Sequence, residues 1–316
     1  MTPRQLNYFL RIAELRSFTK AAAVLRIAQP ALSRQIQQLE DDLGVRLFVR
    51  SDSGVSLTEA GEALRTRAAS LLQQFANVRA EVGALSDRVQ GRLHFGMPPS
   101  LFDLATMPLL LAIRERYPSV QPSVIENVSS TIYELVLAGR LDFGVVLSTE
   151  SMLGLHQRDL FSEQLFLARP CAPGTSDPGP VSLAEVVSQP LVLTQSTNAM
   201  RAILDDAVRG QGLAFVTLLE ANSSRIQTAL VAAGVGWTVL TYSALASDVS
   251  AGRLTAAPIE DLCVTWTLVH SRERALGLAG QKLVELLLEV TARAAEAGRW
   301  PGFTLLQPPG MDSMPI

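Results

Sequence analysis

Five polar side chains recur at helical spacing in one short stretch of the chain. They are Gln29, Ser33, Arg34, Gln37 and Gln38. Because an α-helix completes a turn in about 3.6 residues, most of these positions share one face of a helix. Amide and guanidinium groups can hydrogen-bond the base edges and the phosphates of a DNA duplex. On spacing alone, an ordinary solvated face in a helical domain is the alternative.

Two helices joined by a tight turn would position this polar face. Ser17 suits the N-cap of the first helix, Pro30 the first turn of the second, and Gly44 the end of the second. Ala28, just before the second helix, offers no capping side chain. The opposite face of the second helix carries an apolar stripe that should be buried: Ala31, Leu32, Ile36, Leu39 and Leu43.

A small β-hairpin should follow the second helix. Two short apolar runs flank the turn-forming segment Ser51–Gly54, and Arg50 lies at the base of the hairpin. A guanidinium there would face phosphates or the minor groove beside the second helix.

A long helix should begin after Thr58. Apolar residues then recur every three, four or seven positions, which is a heptad-like pattern that predicts the pairing of two such helices: Leu64, Leu71, Phe75, Val78, Val82, Leu85 and Val89. A single helix lying on a globular domain is the alternative.

From Gly91 onward, predicted strands and helices alternate, which indicates a parallel α/β sheet. Polar loops follow three of the strands, and in open α/β sheets ligands bind outside the carboxyl ends of the strands. Hydroxyls and backbone N–H groups at helix starts can bind carboxylates or phosphates there. Each such residue, taken singly, could be only a helix cap. Beyond Arg299 the Pro- and Gly-rich composition predicts a poorly ordered tail.

Composition restricts the function further. Residues 1–92 carry 13 Arg and Lys against 9 Asp and Glu, whereas the rest carries 14 against 21. A basic N-terminal part on an acidic remainder points to nucleic acid at that end. The chain shows neither a membrane-length apolar run nor a signal-peptide pattern, so we expect a cytoplasmic protein with no membrane partner.

Sequence motifs that would indicate an enzyme active site or a cofactor site are weak in this chain. The three histidines lack metal-ligand spacing, Gly234-Val235-Gly236 lacks the third glycine of a dinucleotide fingerprint, and the two cysteines lie far apart. We therefore expect no catalytic residues, no metal and no cofactor.

A longer motif resembles a known family. Residues 21–50 read A-A-x-x-L-x-x-A-Q-P-A-L-S-R-Q-I-x-x-L-E-x-x-L-G-x-x-L-F-x-R, which is very similar to the winged helix-turn-helix of the LysR-type transcriptional regulators, from about Leu6 to Gly61. The stretch Gly139–Val146, GRLDFGVV, resembles a strand entry in the effector domains of that family.

The resemblance implies a fold class and a domain order. We expect a winged helix-turn-helix domain in 1–57, a dimerising linker helix in 58–91 and a flexible tail in 298–316. Between them, 92–297 would form a two-lobed α/β effector domain like the periplasmic binding proteins. Its lobe I would comprise 92–162 and 265–297, and its lobe II 163–264.

The resemblance also implies roles for individual residues. Those expected to bind DNA are Lys20, Gln29, Pro30, Ser33, Arg34, Gln37 and Arg50. Those expected to bind a small effector, most plausibly an anion, are Ser100, Leu101, Ser129, Thr131, Ser196 and Asn198.

The implied partners are double-stranded DNA with an inverted-repeat operator, the effector, RNA polymerase and further copies of the chain, as a dimer through 58–89 and then a tetramer. Two alternatives stay open. One is a DNA-binding protein whose second domain senses no ligand, and the other is a solute-binding protein or enzyme on the two-lobed fold.

Overall fold

The computed structural model describes residues 1–51, 54–83, 89–147, 153–171 and 179–306. The chain forms two compact units, the first holding Met1–Asp87 and the second beginning at Arg88. This division lies a few residues before the boundary expected from the sequence at residue 92.

The first unit is a helix-turn-helix with a hairpin wing and a long following helix. Its elements are α1 (Pro3–Leu15), α2 (Phe18–Leu25), α3 (Gln29–Leu43), β1 (Phe48–Ser51), β2 (Gly54–Leu57) and α4 (Glu59–Gly83). Leu6, Phe9, Leu32 and Leu39 are fully buried between the helices, and the wing residue Leu47 joins the same core.

Local capping chemistry sets the helix ends as the sequence predicts. Ser17 Oγ accepts from the Lys20 N–H at 3.3 Å, and Thr58 Oγ1 accepts from the Gly61 N–H at 3.0 Å. Gly44 ends α3 in the left-handed region with φ 69°. Ala28 makes no side-chain cap.

The predicted apolar stripe of α3 is wrong at both ends. Leu32, Ile36 and Leu39 are buried, whereas Ala31 is exposed and Leu43 is 39% exposed. Ala31 is in the first turn and Leu43 is the last residue of α3, so both lie at the ends of the helix, away from the buried middle.

Only some residues of the predicted heptad pattern are available to pair with a second copy of the chain. Leu64 and Leu71 pack against the core of their own unit, and Phe75 is 47% exposed. Val89 lies beyond α4 and packs against the core of the second unit. The remaining positions of the pattern lie outside the described residues or the described side chains: Val78, Val82 and Leu85.

The second unit contains a seven-stranded sheet and a two-stranded sheet. Its elements are β3 (Gly91–Met97), α5 (Met107–Arg116), β4 (Val120–Glu126), α6 (Ser129–Leu137), β5 (Phe143–Leu147), β6 (Leu155–Pro170), α7 (Leu183–Val187), β7 (Pro190–Leu193), α8 (Ala199–Gly210), β8 (Val216–Glu220), α9 (Ser224–Ala232), β9 (Thr238–Thr241), α10 (Tyr242–Ser250), β10 (Leu254–Ser271), α11 (Leu278–Glu296) and β11 (Phe303–Leu305). A 3₁₀ turn, Pro99–Leu101, and a π-helical turn, Phe102–Thr106, connect β3 to α5.

The expectation of a parallel sheet is correct for β3, β4 and β5 of the larger sheet and for the pair β7 and β8. The strand order is β11-β6-β10-β5-β3-β4, with β9 also on β6, and β6 and β10 pair antiparallel with their neighbours. The sequence predicted short segments where β6 has 16 residues and β10 has 18. The expected crossings between lobes, at 162/163 and 264/265, fall within these two long strands.

The predicted tail is ordered at its start. β11 pairs with β6, where Phe303 lies opposite Glu163, and the preceding Trp300 is 2% exposed. Aromatic packing explains this, since the rings of Trp300 and Phe303 lie 4.9 Å apart and both contact Phe161. Residues 307–316 lie outside the described residues.

A buried carboxylate joins the long strands to this C-terminal segment. Glu163 of β6 is fully buried and accepts from Ser243 N at 2.7 Å, Ser243 Oγ at 3.0 Å, Trp266 Nε1 at 2.9 Å and Trp300 Nε1 at 2.8 Å. Burial raises the pKa of this carboxyl, and the four hydrogen bonds oppose that shift.

We expect Glu163→Gln to lower the free energy of unfolding by about 1–3 kcal/mol, because the amide nitrogen cannot accept from the donors that remain buried. Urea denaturation measures this, with Glu115→Gln, on the exposed side of α5, as the control.

The loss of unfolding free energy in Glu163→Gln relative to the parent should also depend on pH. A raised folded-state pKa means that the folded chain binds more protons than the unfolded chain, so the parent loses stability as pH rises towards that pKa. The difference between parent and variant therefore shrinks with rising pH above the ordinary glutamate range. A difference that grows with pH would contradict the assignment.

Candidate functional site

The exposed face of α3 carries the polar residues expected from the sequence. Arg34, Gln37 and Pro30 are exposed, while Gln29 and Ser33 are half-buried. Gln29 Nε2 donates to Ser33 Oγ at 2.9 Å, which holds the two side chains together on the first turns of the helix. The face therefore presents amide, hydroxyl and guanidinium groups of the kinds that read a duplex groove.

Two further expected residues lie off α3. Lys20 is exposed in the first turn of α2. Arg50 lies on β1, where it pairs with Val55 of β2, and its side chain is outside the described part of the structure.

A buried glutamate fixes the wing to the end of α3, which the sequence did not reveal. Glu40 is 7% exposed and accepts from Leu47 N at 2.7 Å, Phe48 N at 3.2 Å and Arg46 Nη1 at 2.8 Å. The hydrogen bond to Glu40 raises the pKa of Arg46. The available signal was its position four residues after Ile36, on the buried stripe.

A cavity of about 1630 Å³ opens within the second unit. The segments that follow β3, β4, β7 and β8 line it, which is the carboxyl edge of these parallel strands. The structure brings Ser100, Ser129 and Asn198 together in this cavity.

Three other expected effector residues do not line the cavity. Leu101 is fully buried in the hydrophobic core, because the 3₁₀ turn directs it inward. Thr131 lies two residues after Ser129 on α6 and is not among the lining residues, and Ser196 is exposed on its loop.

Polar residues beyond the six expected to bind the effector complete the lining. They are Asn127, Ser130, Thr194, Thr197 and the segment Asn222–Arg225. The last of these follows β8 and leads into α9, so the same strand-to-helix pattern that identified Ser129 could have found it.

Hydrogen bonds hold the lining segments in place. Ser129 Oγ accepts from Leu147 N at 3.0 Å, which leaves its hydroxyl proton available to donate. Asn198 Oδ1 caps α8 through Met200 N at 2.9 Å. Asn222 binds Gln195 twice, through Gln195 N at 3.0 Å and Gln195 Oε1 at 2.6 Å, and this locks the two lobe II loops together.

The described residues contain neither a metal-ligand group nor a membrane-length helix. There, no group of three His, Cys, Asp or Glu could hold a metal ion. His156 and His270 lie with ring centroids 5.0 Å apart, and burial together with nearby His156 lowers the pKa of His270. No helix among the described residues is long and apolar enough to cross a bilayer.

Both units match models of one family. Residues 3–62 match the bacterial regulatory helix-turn-helix protein, lysR family, and residues 86–292 match the LysR substrate binding domain. The chain is 33% identical over 299 residues to the HTH-type transcriptional regulator BbuR of Bordetella bronchiseptica, covering 94% of this chain and 92% of that protein. It is also 33% identical over 304 residues to the nitrogen assimilation regulatory protein nac of Klebsiella aerogenes, covering 95% and 98%.

Solved structures share the fold. A full-length OxyR variant from Pseudomonas aeruginosa has a TM-score of 0.71 at 23% identity, covering 98% of this chain and 99% of that one. Full-length CbnR complexed with its target DNA has a TM-score of 0.66 at 23% identity, covering 93% and 100%. The chain belongs to the LysR family of DNA-binding transcriptional regulators, with a helix-turn-helix domain followed by an effector-binding domain.

Proposed function

We propose that this regulator binds an inverted-repeat operator as a dimer and senses a small anionic molecule between the two lobes of its second unit. The observation that carries the proposal is the convergence of polar strand-end loops and helix starts on one cavity, in the domain that matches the family's substrate-binding model. No catalytic step is assigned.

The exposed face of α3 would read the operator. Arg34, Gln37 and Gln29 would contact base edges, with Ser33 and Pro30 at the start of the same helix against the backbone. Lys20 on α2 and Arg50 in the wing would contact phosphates. The solved complex of CbnR with its target DNA supports this use of the domain by analogy of fold.

Pairing of α4 would place two copies of α3 on two half-sites. A two-fold dimer reads half-sites about 34 Å apart, one turn of the duplex. Phe75, 47% exposed on α4, supports a contact with a second copy, because solvent exposure of a large apolar ring is unfavourable. Two dimers would form the tetramer, which would act in the cytoplasm and contact RNA polymerase.

The anionic nature of the effector would follow from the helix starts. The first residues of α6, α8 and α9 line the cavity, and a helix N-terminus carries partial positive charge. Ser100, Ser129 and Asn198 line the cavity near them, while Leu101, Thr131 and Ser196 would support the loops. Coupling to DNA requires that the effector bind two states of the protein with different affinity.

Arg34→Ala should abolish operator-specific binding, because a bidentate base contact contributes about 1–3 kcal/mol of discrimination. Footprinting on the DNA upstream of the gene measures this. Arg65→Ala is the matched control, since Arg65 lies on α4 and is paired with Glu62. An unchanged footprint for Arg34→Ala would rule out its place in the groove.

Ser100→Ala should weaken the stabilisation by carboxylates that bind the cavity and leave operator binding intact. A thermal-shift screen of small carboxylates finds such compounds, since a ligand that binds only the folded chain raises its melting temperature. Ser196→Ala is the control, because Ser196 is exposed and does not line the cavity. If carboxylates raise the melting temperature of the two variants equally, Ser100 has only a structural role.

A further inference from the structure

Six charged side chains line the cavity, and only three of them are in ion pairs among the described residues. Three are balanced within the protein, since Asp206 pairs with Arg209 at 2.9 Å and Asp248 pairs with Arg253, also in the lining, at 2.6 Å. The other three make no ion pair among the described residues: Asp103, Glu126 and Arg225. These three determine which ligand charge each wall attracts.

The two unpaired carboxylates lie on the same edge of lobe I. Glu126 is the last residue of β4 and pairs in register with Met97, the last residue of β3. Asn127 N donates to Met97 O at 3.2 Å, and the chain runs from Met97 through the 3₁₀ turn to Asp103. Both carboxylates belong to exposed residues of the cavity lining, so they attract a cationic group of a ligand.

The unpaired guanidinium lies on lobe II. Arg225 is in the first turn of α9, where a cation is unfavourable against the helix dipole and no acidic residue offsets it. The N-cap Ser223 makes no side-chain hydrogen bond to its helix, and both residues line the cavity. The paired side chains of Asn222 and Gln195 hold this loop in place. The wall thus offers one guanidinium and one hydroxyl without a partner among the described residues, which suits an anionic group.

We propose that the effector is a zwitterion, a small molecule with both a cationic and an anionic group, as in an amino acid. The cationic group binds Asp103 and Glu126 of lobe I, and the anionic group binds Arg225 and Ser223 of lobe II. This inference rests on the proposed sensing function and specifies the ligand class. A purely anionic ligand would leave the lobe I carboxylates unbalanced, whereas a zwitterion satisfies both walls and links the two lobes.

Matched compounds test the proposal on the full chain. The panel holds the standard L-amino acids, each with the acid that lacks its amine and the amine that lacks its carboxylate; for L-phenylalanine these are 3-phenylpropanoate and 2-phenylethylamine. Thermal shift identifies binding and titration calorimetry gives Kd. We expect at least one amino acid to bind at least about tenfold more tightly than both of its matched compounds, a ratio of Kd values that corresponds to about 1.4 kcal/mol.

Neutral variants assign the two charges. In Asp103→Asn combined with Glu126→Gln, the Kd of that amino acid should rise about tenfold while that of its matched acid does not rise. Arg225→Gln should weaken the binding of the amino acid and of the matched acid but not the binding of the matched amine. Asp206→Asn is the control, because Asp206 lines the same cavity but is paired with Arg209. The ratio of Kd values between the amino acid and its matched compounds should be the same in this variant as in the parent.

Three outcomes would overturn the zwitterion. One is an acid that binds as tightly as its amino acid, which leaves the proposed anion sensing intact. Another is the absence of binding by every compound in the panel. The third is a changed operator footprint of Arg225→Gln without any added compound. That result would mean that Arg225 contacts the lobe I carboxylates directly, with no ligand between them. The proposed function fails separately, if no compound that binds the cavity alters operator binding.

Discussion

The buried carboxylate of Glu163 is the interaction on which the second unit depends. It lies on β6, and its donors come from α10, from β10 and from the segment after α11, up to 137 residues away in sequence. A buried carboxylate without partners would be strongly unfavourable, so all of these segments must be in place together. One of the donors, Trp266, also lines the cavity, which links the floor of the candidate effector site directly to the packing of the C-terminal segment.

The first unit uses the same physical device on a smaller scale. Glu40 is buried at the end of α3 and binds the backbone of Leu47 and Phe48, where the wing begins. The wing therefore cannot shift relative to α3 without leaving a charge unsatisfied. In both units, a buried acid with backbone or side-chain donors fixes a segment next to the proposed site, while the proposed contact residues Arg34 and Arg225 are exposed.

The cavity combines this rigidity with unbalanced charge. Its loops are held by hydrogen bonds such as that between Asn222 and Gln195, and Ser129 is held by Leu147 N. Against that fixed frame, Asp103 and Glu126 on lobe I and Arg225 on lobe II make no ion pair with any residue that the structure describes. A ligand that joins the two lobes would stabilise one arrangement of β6 and β10, and a difference of this kind is what allows an effector to change the behaviour of a regulator.

The sequence by itself determined the helix-turn-helix, its caps at Ser17 and Gly44 and the polar face of α3, because periodicity and capping depend on residues within a few positions of one another. It also located Ser100, Ser129 and Asn198 at strand ends. Only the tertiary structure decided that Leu101 lies in the core and that Trp300 and β11 pack on β6. It likewise decided that Leu64 and Leu71 pack within their own chain. These outcomes depend on contacts between segments far apart in sequence, on which local patterns carry no information.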